Sequence, residues 1–195
     1  MDGEVTIEQP LTLRGFCEAA FSKHSKSWPP SENALAHEFI AYFRVEQFVT
    51  LDCLQTLCQK LEMSVRIAEL PKGIRGYNHA YGNKREILVG TTGPRAVVLG
   101  SQEHTLLHEL RELIEYEFRK AGHPVAGPSD QEERAETFAS SVRSFASMKG
   151  LERIFGDISE IKSGWAQFAA ILLMVIVLLG YSLTCLALPQ WEDKL

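Results

Sequence analysis

Apolar residues in the first third of the chain recur at helical spacing in three separate stretches. The first stretch, residues 13–21, is followed by a Trp-Pro-Pro sequence that predicts a loop. The second fills residues 31–49, and the third begins after Thr50. The apolar positions that define them include Phe16, Ala19, Ala20, Leu35, Phe39, Ile40, Phe43, Leu54, Leu57, Cys58 and Leu61. The pattern therefore predicts three packing helices.

The period then changes from helix to strand. Residues 63–70 alternate apolar and polar side chains, which indicates a strand with one buried face. Residues 80–81 and 86–90 flank Gly82-Asn83, a sequence typical of a tight turn, so we expect a hairpin here. The short apolar run of residues 96–99 fits either a buried strand or the beginning of the next helix.

Two longer helices are predicted after the strands. The first covers about residues 101–120 and stops at a Gly-His-Pro sequence, and the second covers about residues 131–148, capped by Ser129 or Asp130. Residues 149–164 form an amphipathic connector. Helices and a small sheet in separate stretches of the chain predict an α+β fold. Several charged residues of the first long helix are expected on its solvated face: Arg111, Glu115, Glu117, Arg119 and Lys120.

The C-terminal region contains an uncharged, mostly apolar stretch, residues 165–188. About twenty such residues match a hydrocarbon core of roughly 30 Å, and aromatic residues lie near both ends of the stretch. More lysine and arginine precedes the stretch than follows it, and the polar N-terminus has no signal-peptide pattern. We therefore expect one transmembrane helix that contacts lipid. It would anchor the chain in the cell membrane by its tail, with a cytoplasmic N-terminal domain and residues 189–195 as a short end.

Composition narrows the classes of function. The chain has 195 residues, 45% hydrophobic and 23% charged, which is enough for one domain core with some length left over. Its formal net charge of −5 predicts no direct binding to nucleic acid. The four cysteines form no Cys-x-x-Cys pair, so we expect reduced structural thiols and neither disulfides nor a zinc ribbon.

One segment combines metal-ligand side chains with helical spacing: His104-Thr-Leu-Leu-His108-Glu109-Leu-Arg-Glu112. His108 and Glu112 are four residues apart, so on an α-helix both side chains leave the same face and could bind one cation. Glu109 stands where the zinc peptidase pattern His-Glu-x-x-His has its general base, and Glu112 replaces the second His of that pattern. An alternative places His104 on the same ion, although positions i, i+4 and i+8 drift by about 40° per step.

A hydrolytic metal site needs a third protein ligand and an open position for water. On the helix over residues 131–148, at about 100° per residue, Glu132 lies roughly 75° from the centre of the apolar stripe. Glu136 lies roughly 115° from it and Glu133 almost opposite. Glu132 is therefore the best placed to reach inward. The separation of 24 residues from His108 to Glu132 allows one helix to end and a second to return across it.

The order of these motifs resembles the ImmA/IrrE metallopeptidases, which belong to the gluzincin branch of zinc peptidases. The features that carry the resemblance are Gly76-Tyr77, the apolar residues 86–90, His108-Glu109 and the Glu132-Glu-Arg-Ala-Glu-Thr-Phe-Ala139 sequence. The likeness covers roughly residues 50–148, and residues 1–49 would form an additional N-terminal helical segment.

The resemblance implies a reduced zincin-like domain with packing helices, a small twisted sheet and two helices at a zinc site. His108 and Glu132 would be metal ligands, Glu109 the general base, and Glu136 an outer residue where the family usually has Asn. Glu112 occupies the position of the family's second ligand. Known members of the family cleave repressor proteins, so the implied partner is a protein substrate such as a transcriptional repressor.

Glu112 affects the expected chemistry. A carboxylate oxygen can bind zinc at a distance similar to that of an imidazole nitrogen, but a second anionic ligand makes the metal a poorer Lewis acid. The oxygen-rich ligand set also suits manganese or iron, whereas the resemblance implies zinc.

Two functions follow from these residues. In the first, Glu109 takes a proton from the attacking water of a metal-dependent peptidase, and the substrate lies along the edge of the strand over residues 86–90. In the second, the chain is a catalytically inactive metal-binding or protein-interaction module on a peptidase-like fold. Replacement of Glu109 would distinguish the two.

Overall fold

The computed structural model describes residues 11–45, 49–81, 84–91, 101–125 and 127–159, together with residues 164, 165, 168, 171–173 and 175. The chain forms two compact units, residues 1–149 and residues 150–195. The first unit contains a three-stranded sheet and most of the described helices, which confirms the α+β class.

Three helices begin the first unit, as predicted: α1 (Leu13–His24), α2 (Glu32–Tyr42) and α3 (Leu51–Lys60). Each has a Ser or Thr at its N-cap whose side chain accepts a hydrogen bond from a backbone N–H in the first turn. Helix α2 is shorter than the predicted stretch of residues 31–49. Arg44 has a φ of 53°, a left-handed conformation that no α-helix continues through.

The sheet consists of β1 (Met63–Ala68), β2 (Gly76–Tyr81) and β3 (Lys84–Gly90) in the order β1-β3-β2. Strand β3 pairs with β1 in parallel and with β2 antiparallel, so the predicted hairpin is confirmed. Because β3 is the central strand, both of its edges are already paired. The expectation that a substrate adds to the edge of residues 86–90 is therefore wrong. Residues 96–99 lie outside the described residues.

Two long helices follow the sheet. Helix α4 (Ser101–Lys120) has the predicted bounds. Helix α5 (Gln131–Ser159) follows a short 3-10 turn at Pro128–Asp130 and is longer than predicted, because much of the expected connector of residues 149–164 continues it. Strand β2 packs against α4, which brings the sheet next to the helix that carries the candidate ligands.

A single apolar cluster fills the first unit. Three fully buried phenylalanines, Phe16, Phe39 and Phe138, connect α1, α2 and α5, with ring centroids 5.9 Å and 5.4 Å apart in edge-to-face contacts. Leu106, Leu107 and Leu110 of α4 are also fully buried. The leucine face of α4 therefore fixes the direction in which its polar face points.

Of the charged residues of α4 that the sequence predicts to be solvated, Arg119 and Lys120 are exposed, but Arg111, Glu115 and Glu117 are buried. Glu115 and Glu117 are only 2% and 4% exposed. Arg111 contacts Glu115 at 3.3 Å and makes two hydrogen bonds of 2.7 Å to Glu32 of α2. Arg134 of α5 also contacts Glu115, at 3.0 Å. These buried charges are paired, which is the condition under which a protein core tolerates them.

The described cysteines are free, as expected: Cys17 and Cys58 are buried, and Cys53 is exposed. Burial raises the pKa of Cys58 to about 12 and raises that of Cys17 further. Both buried thiols therefore stay protonated near neutral pH. Cys185 lies outside the described residues.

The prediction of a transmembrane helix over residues 165–188 is not supported. Among the described residues, no helix is both long and apolar enough to cross a membrane. The longest, α5, has charged residues at nine positions, a density that the hydrocarbon core of a bilayer excludes. Most of residues 165–188 lie outside the described residues. The prediction of a single-pass tail anchor in the cell membrane is therefore wrong as far as the described residues show, because none of their helices could serve as the anchor.

Candidate metal centre

The polar face of α4 presents three of the predicted site residues, His108, Glu109 and Glu112. The opposite face contains the buried leucines, so packing of the core directs these side chains toward β2, and His108 and Glu112 contact Glu132 and Gln131 at the beginning of α5. The His108 side chain is 12% exposed. Spacing of three and four residues on one helix accounts for the arrangement, as the sequence predicts.

His108, Glu112 and Glu132 form a group that could hold a metal ion. Each offers one ligand atom, and these atoms all lie within 4.8 Å of one another. The Nε2 atom of His108 lies 3.3 Å from Oε2 of Glu132, whose side chain is 83% exposed. Two ligands thus come from α4 and the third reaches in from the solvent side, at the beginning of α5. The group does not identify the metal.

Glu109 is a buried carboxyl beside this group, only 6% exposed. Its burial raises its pKa to about 7, and the negative charges of Glu112 and Glu132 add to the effect. Hydrogen bonds from Asn78 oppose the shift. A carboxyl with a pKa raised toward neutral pH is suited to accept and return a proton.

Asn78 of β2 connects two of the glutamates. Its Nδ2 atom donates to Oε2 of Glu109 at 2.7 Å and also donates to Oε2 of Glu112. At the other oxygen of Glu112, Gln131 donates a hydrogen bond of 3.0 Å from Nε2 to Oε1. Sequence analysis missed both amides. Two features of the sequence could have predicted them: Asn78 lies on the same strand face as Gly76, and Gln131 directly precedes the candidate ligand Glu132.

His104 and Glu136 pair with each other and are not part of the metal group. The Nε2 atom of His104 contacts Oε2 of Glu136, and Arg75 lies 3.6 Å from the other oxygen. Burial lowers the pKa of His104 despite this carboxylate. Burial alone would raise the pKa of Glu136, but the hydrogen bond with His104 and nearby positive charge lower it.

A cleft of about 290 Å³ opens beside these residues. One wall is the turn and strand of residues 73–76, and the other is formed by α4 and α5. The cleft gives a ligand access to Glu109 and to two members of the metal group, His108 and Glu132, whereas Glu112 does not line it. The side chains from the helices are His104, Thr105, His108, Glu109, Glu132 and Glu136.

Comparisons of the chain with models of protein families, with curated proteins and with solved structures found no match. The resemblance to ImmA/IrrE metallopeptidases therefore rests on Gly76-Tyr77, the His108-Glu109 pair and the sequence that begins at Glu132. Membership of that family stays a prediction.

Proposed function

We propose that the protein is a metal-dependent peptidase in which His108, Glu112 and Glu132 bind the metal and Glu109 is the general base. The observation that carries the proposal is the convergence of one imidazole and two carboxylates beside a buried carboxyl in an open cleft. These are the side chains that a hydrolytic metal site requires, with room left for water and substrate.

The charge of the site supports a bound cation. The carboxyl groups of Glu109, Glu112 and Glu132 lie close together, and the charges of Glu112 and Glu132 add to the rise in the pKa of Glu109 that burial causes. Asn78 and Gln131, which hold two of them, carry no charge. A divalent cation would relieve the mutual repulsion. We propose zinc, which accepts this mixed nitrogen and oxygen set, with manganese or iron as the alternatives that a titration distinguishes.

A bound divalent metal would acidify a water molecule and polarise the carbonyl of the scissile peptide bond. Glu109 would accept the proton of the attacking water at its carboxylate and return it to the leaving amine. Asn78 would keep the carboxylate in place through its side-chain amide.

The shape of the cleft favours an extended protein segment as substrate. Residues 73–76 line one wall, and within the described residues β2 pairs with another strand only on its β3 side. A substrate backbone would therefore lie beside β2, which replaces the predicted edge of residues 86–90. The resemblance to ImmA/IrrE peptidases suggests a regulatory protein, such as a transcriptional repressor, as the natural substrate.

Metal content tests the proposal directly. The full chain would be stripped with a chelator and titrated with zinc, manganese or iron, and bound metal would be counted by mass spectrometry. We expect about one equivalent in the native chain and in Glu109→Gln, and none in His108→Ala or Glu132→Ala. Cleavage of an unstructured protein such as casein should be lost in Glu109→Gln, because that variant keeps the metal but lacks the base.

The matched controls are His37→Ala on the exposed side of α2 and Glu133→Ala, which is exposed beside Glu132. Both should retain metal and cleavage. A folded chain that takes up no metal would contradict the proposal. The chain could instead bind one equivalent of metal, cleave no offered protein and keep the same metal content in Glu109→Gln. That result would favour the inactive metal-binding module.

A further inference from the structure

The glutamates of α4 fall into two groups that are held by different chemistry. Glu115 contacts Arg111 and Arg134 at 3.3 and 3.0 Å, and Glu117 contacts Arg85. Each of these carboxylates has its charge neutralised by a guanidinium. One turn earlier on the same helix, the hydrogen bonds to Glu109 and Glu112 come from neutral amides.

The difference has a physical consequence for cation binding. A guanidinium beside Glu112 would fix the carboxylate and also cancel the charge that attracts a metal. An amide donor fixes the carboxylate and leaves its charge intact. Asn78 donates to one oxygen of Glu112 and Gln131 donates to the other, so both ends of the carboxylate are fixed. Each oxygen still has a second lone pair for a metal.

We propose that Asn78 and Gln131 are positioning residues that hold Glu112 as a working metal ligand, in the place where the zinc peptidase pattern has histidine. The inference rests on the proposed function and extends it to residues outside the ligand set. Asn78 also holds Glu109 at 2.7 Å, so one side chain couples the general base to a ligand. Gln131 contacts Glu112 alone among these carboxylates, so it isolates the effect on the ligand.

Hydrogen-bond donors such as the amides of Asn78 and Gln131 orient a metal ligand before the ion binds. Without them, the glutamate side chain would sample several rotamers and would lose that freedom only on binding. Loss of such an outer hydrogen bond weakens metal affinity by about 10- to 100-fold. We expect a loss of that size in Asn78→Ala and in Gln131→Ala.

The test measures zinc affinity of the full chain by competition with a chromophoric chelator, and it records the visible spectrum of the cobalt-substituted protein. Gln131→Ala should weaken zinc binding about 10-fold or more and shift the cobalt bands. Glu112→Ala should weaken zinc binding much more than Gln131→Ala does, and the double variant should bind whatever zinc remains as weakly as Glu112→Ala alone, because the partner of Gln131 is gone. This coupling separates a positioning role from a general loss of stability.

Asn33→Ala is the control, since its amide accepts a hydrogen bond of 2.6 Å from Ser141, away from the site. It should leave zinc affinity unchanged. If Asn78→Ala fails to fold, Gln131→Ala at the beginning of α5 still decides the outcome. Unchanged affinity and cobalt bands in Gln131→Ala would overturn the inference and leave the peptidase proposal standing. Zinc binding that depends on Gln131, without any peptidase activity, would support the inference and contradict the peptidase.

Discussion

At the scale of single residues, the position of Glu109 depends on a glycine in the neighbouring strand. A Cβ atom at Gly76 would lie 2.5 Å from Oε1 of Glu109 and 2.5 Å from the methyl group of Thr105. Both distances are shorter than carbon contacts allow. Gly76 therefore lets β2 approach α4 closely enough for Asn78 to reach the carboxyl groups.

Replacement of Gly76 by alanine should displace Glu109 and overpack the contact between β2 and α4. We expect Gly76→Ala to lose about 1–3 kcal/mol of unfolding free energy, the usual cost of an added methyl group in a close-packed contact. Urea unfolding of the metal-free chain measures this change. Because Glu109 is no ligand, the variant should still bind one equivalent of metal, while any cleavage falls by about 100-fold for a misplaced base.

Gly127→Ala is the matched control for this substitution. The nearest atom to its added Cβ would be Oγ of Ser129 at 3.8 Å, an ordinary van der Waals contact. Its unfolding free energy should stay the same or rise slightly, because alanine restricts the unfolded chain. If Gly76→Ala and Gly127→Ala changed the unfolding free energy equally, the close approach at Gly76 would not constrain Glu109.

At the scale of elements, α4 is fixed by two different sets of contacts. Its leucines pack into the core, and its buried arginine joins it to α2 and α5 through Glu32, Glu115 and Arg134. The bidentate pair of Arg111 with Glu32 is almost fully buried, with side chains 8% and 9% exposed. The metal-binding face thus gains its orientation from contacts on other faces of the same helix.

Removal of Arg111 should leave the buried carboxylate of Glu32 poorly neutralised, with Arg134 3.9 Å away, whereas Glu115 keeps its contacts with Arg134 and Arg119. We expect Arg111→Ala to lower the unfolding free energy by about 3–5 kcal/mol, the usual cost of breaking a buried ion pair from one side. Chemical denaturation monitored by circular dichroism measures it. Arg14→Ala, which breaks an exposed pair with Glu18, should cost less than about 1 kcal/mol. Similar losses in both variants would contradict a special role for the buried pair.

At the scale of the whole molecule, the apolar core is complete within the first compact unit. The core cluster extends along the chain from Leu13 to Ala146, and the boundary between the units follows Lys149. All of the candidate site residues also lie before that boundary. The candidate metal centre and the core that supports it therefore belong to one unit.

Residues 1–149 alone should consequently fold. We expect this fragment to unfold in one cooperative transition, as small domains do, near the midpoint of the full chain. It should also bind the same equivalent of metal. Near-ultraviolet circular dichroism during heating tests the prediction, because it follows the packing of aromatic side chains such as Phe39 and Phe138. A broad transition without cooperativity would show that residues 150–195 are needed for folding.

Much of the local structure follows from the sequence alone. Periodicity and turn residues predict the beginnings of α1, α3 and α4, the strand β1 and the hairpin of β2 and β3, because these features depend on neighbours within a few residues. The same local spacing identifies His108 and Glu112 as a pair on one helix face. The choice of Glu132 over Glu133 also follows from periodicity, and the structure places Glu132 beside His108.

Tertiary structure alone decided the rest, because it concerns residues far apart in the chain. Pairing of β1 with β3 makes β3 central and moves the available strand edge to β2. The approach of α2 and α5 buries the charges of Arg111 and Glu115 that helical periodicity predicts to be solvated. The amide of Asn78 reaches Glu109 and Glu112 across 31 and 34 residues. Periodicity within one element predicts the ligands on a helix face, but only packing between elements determines which groups orient them.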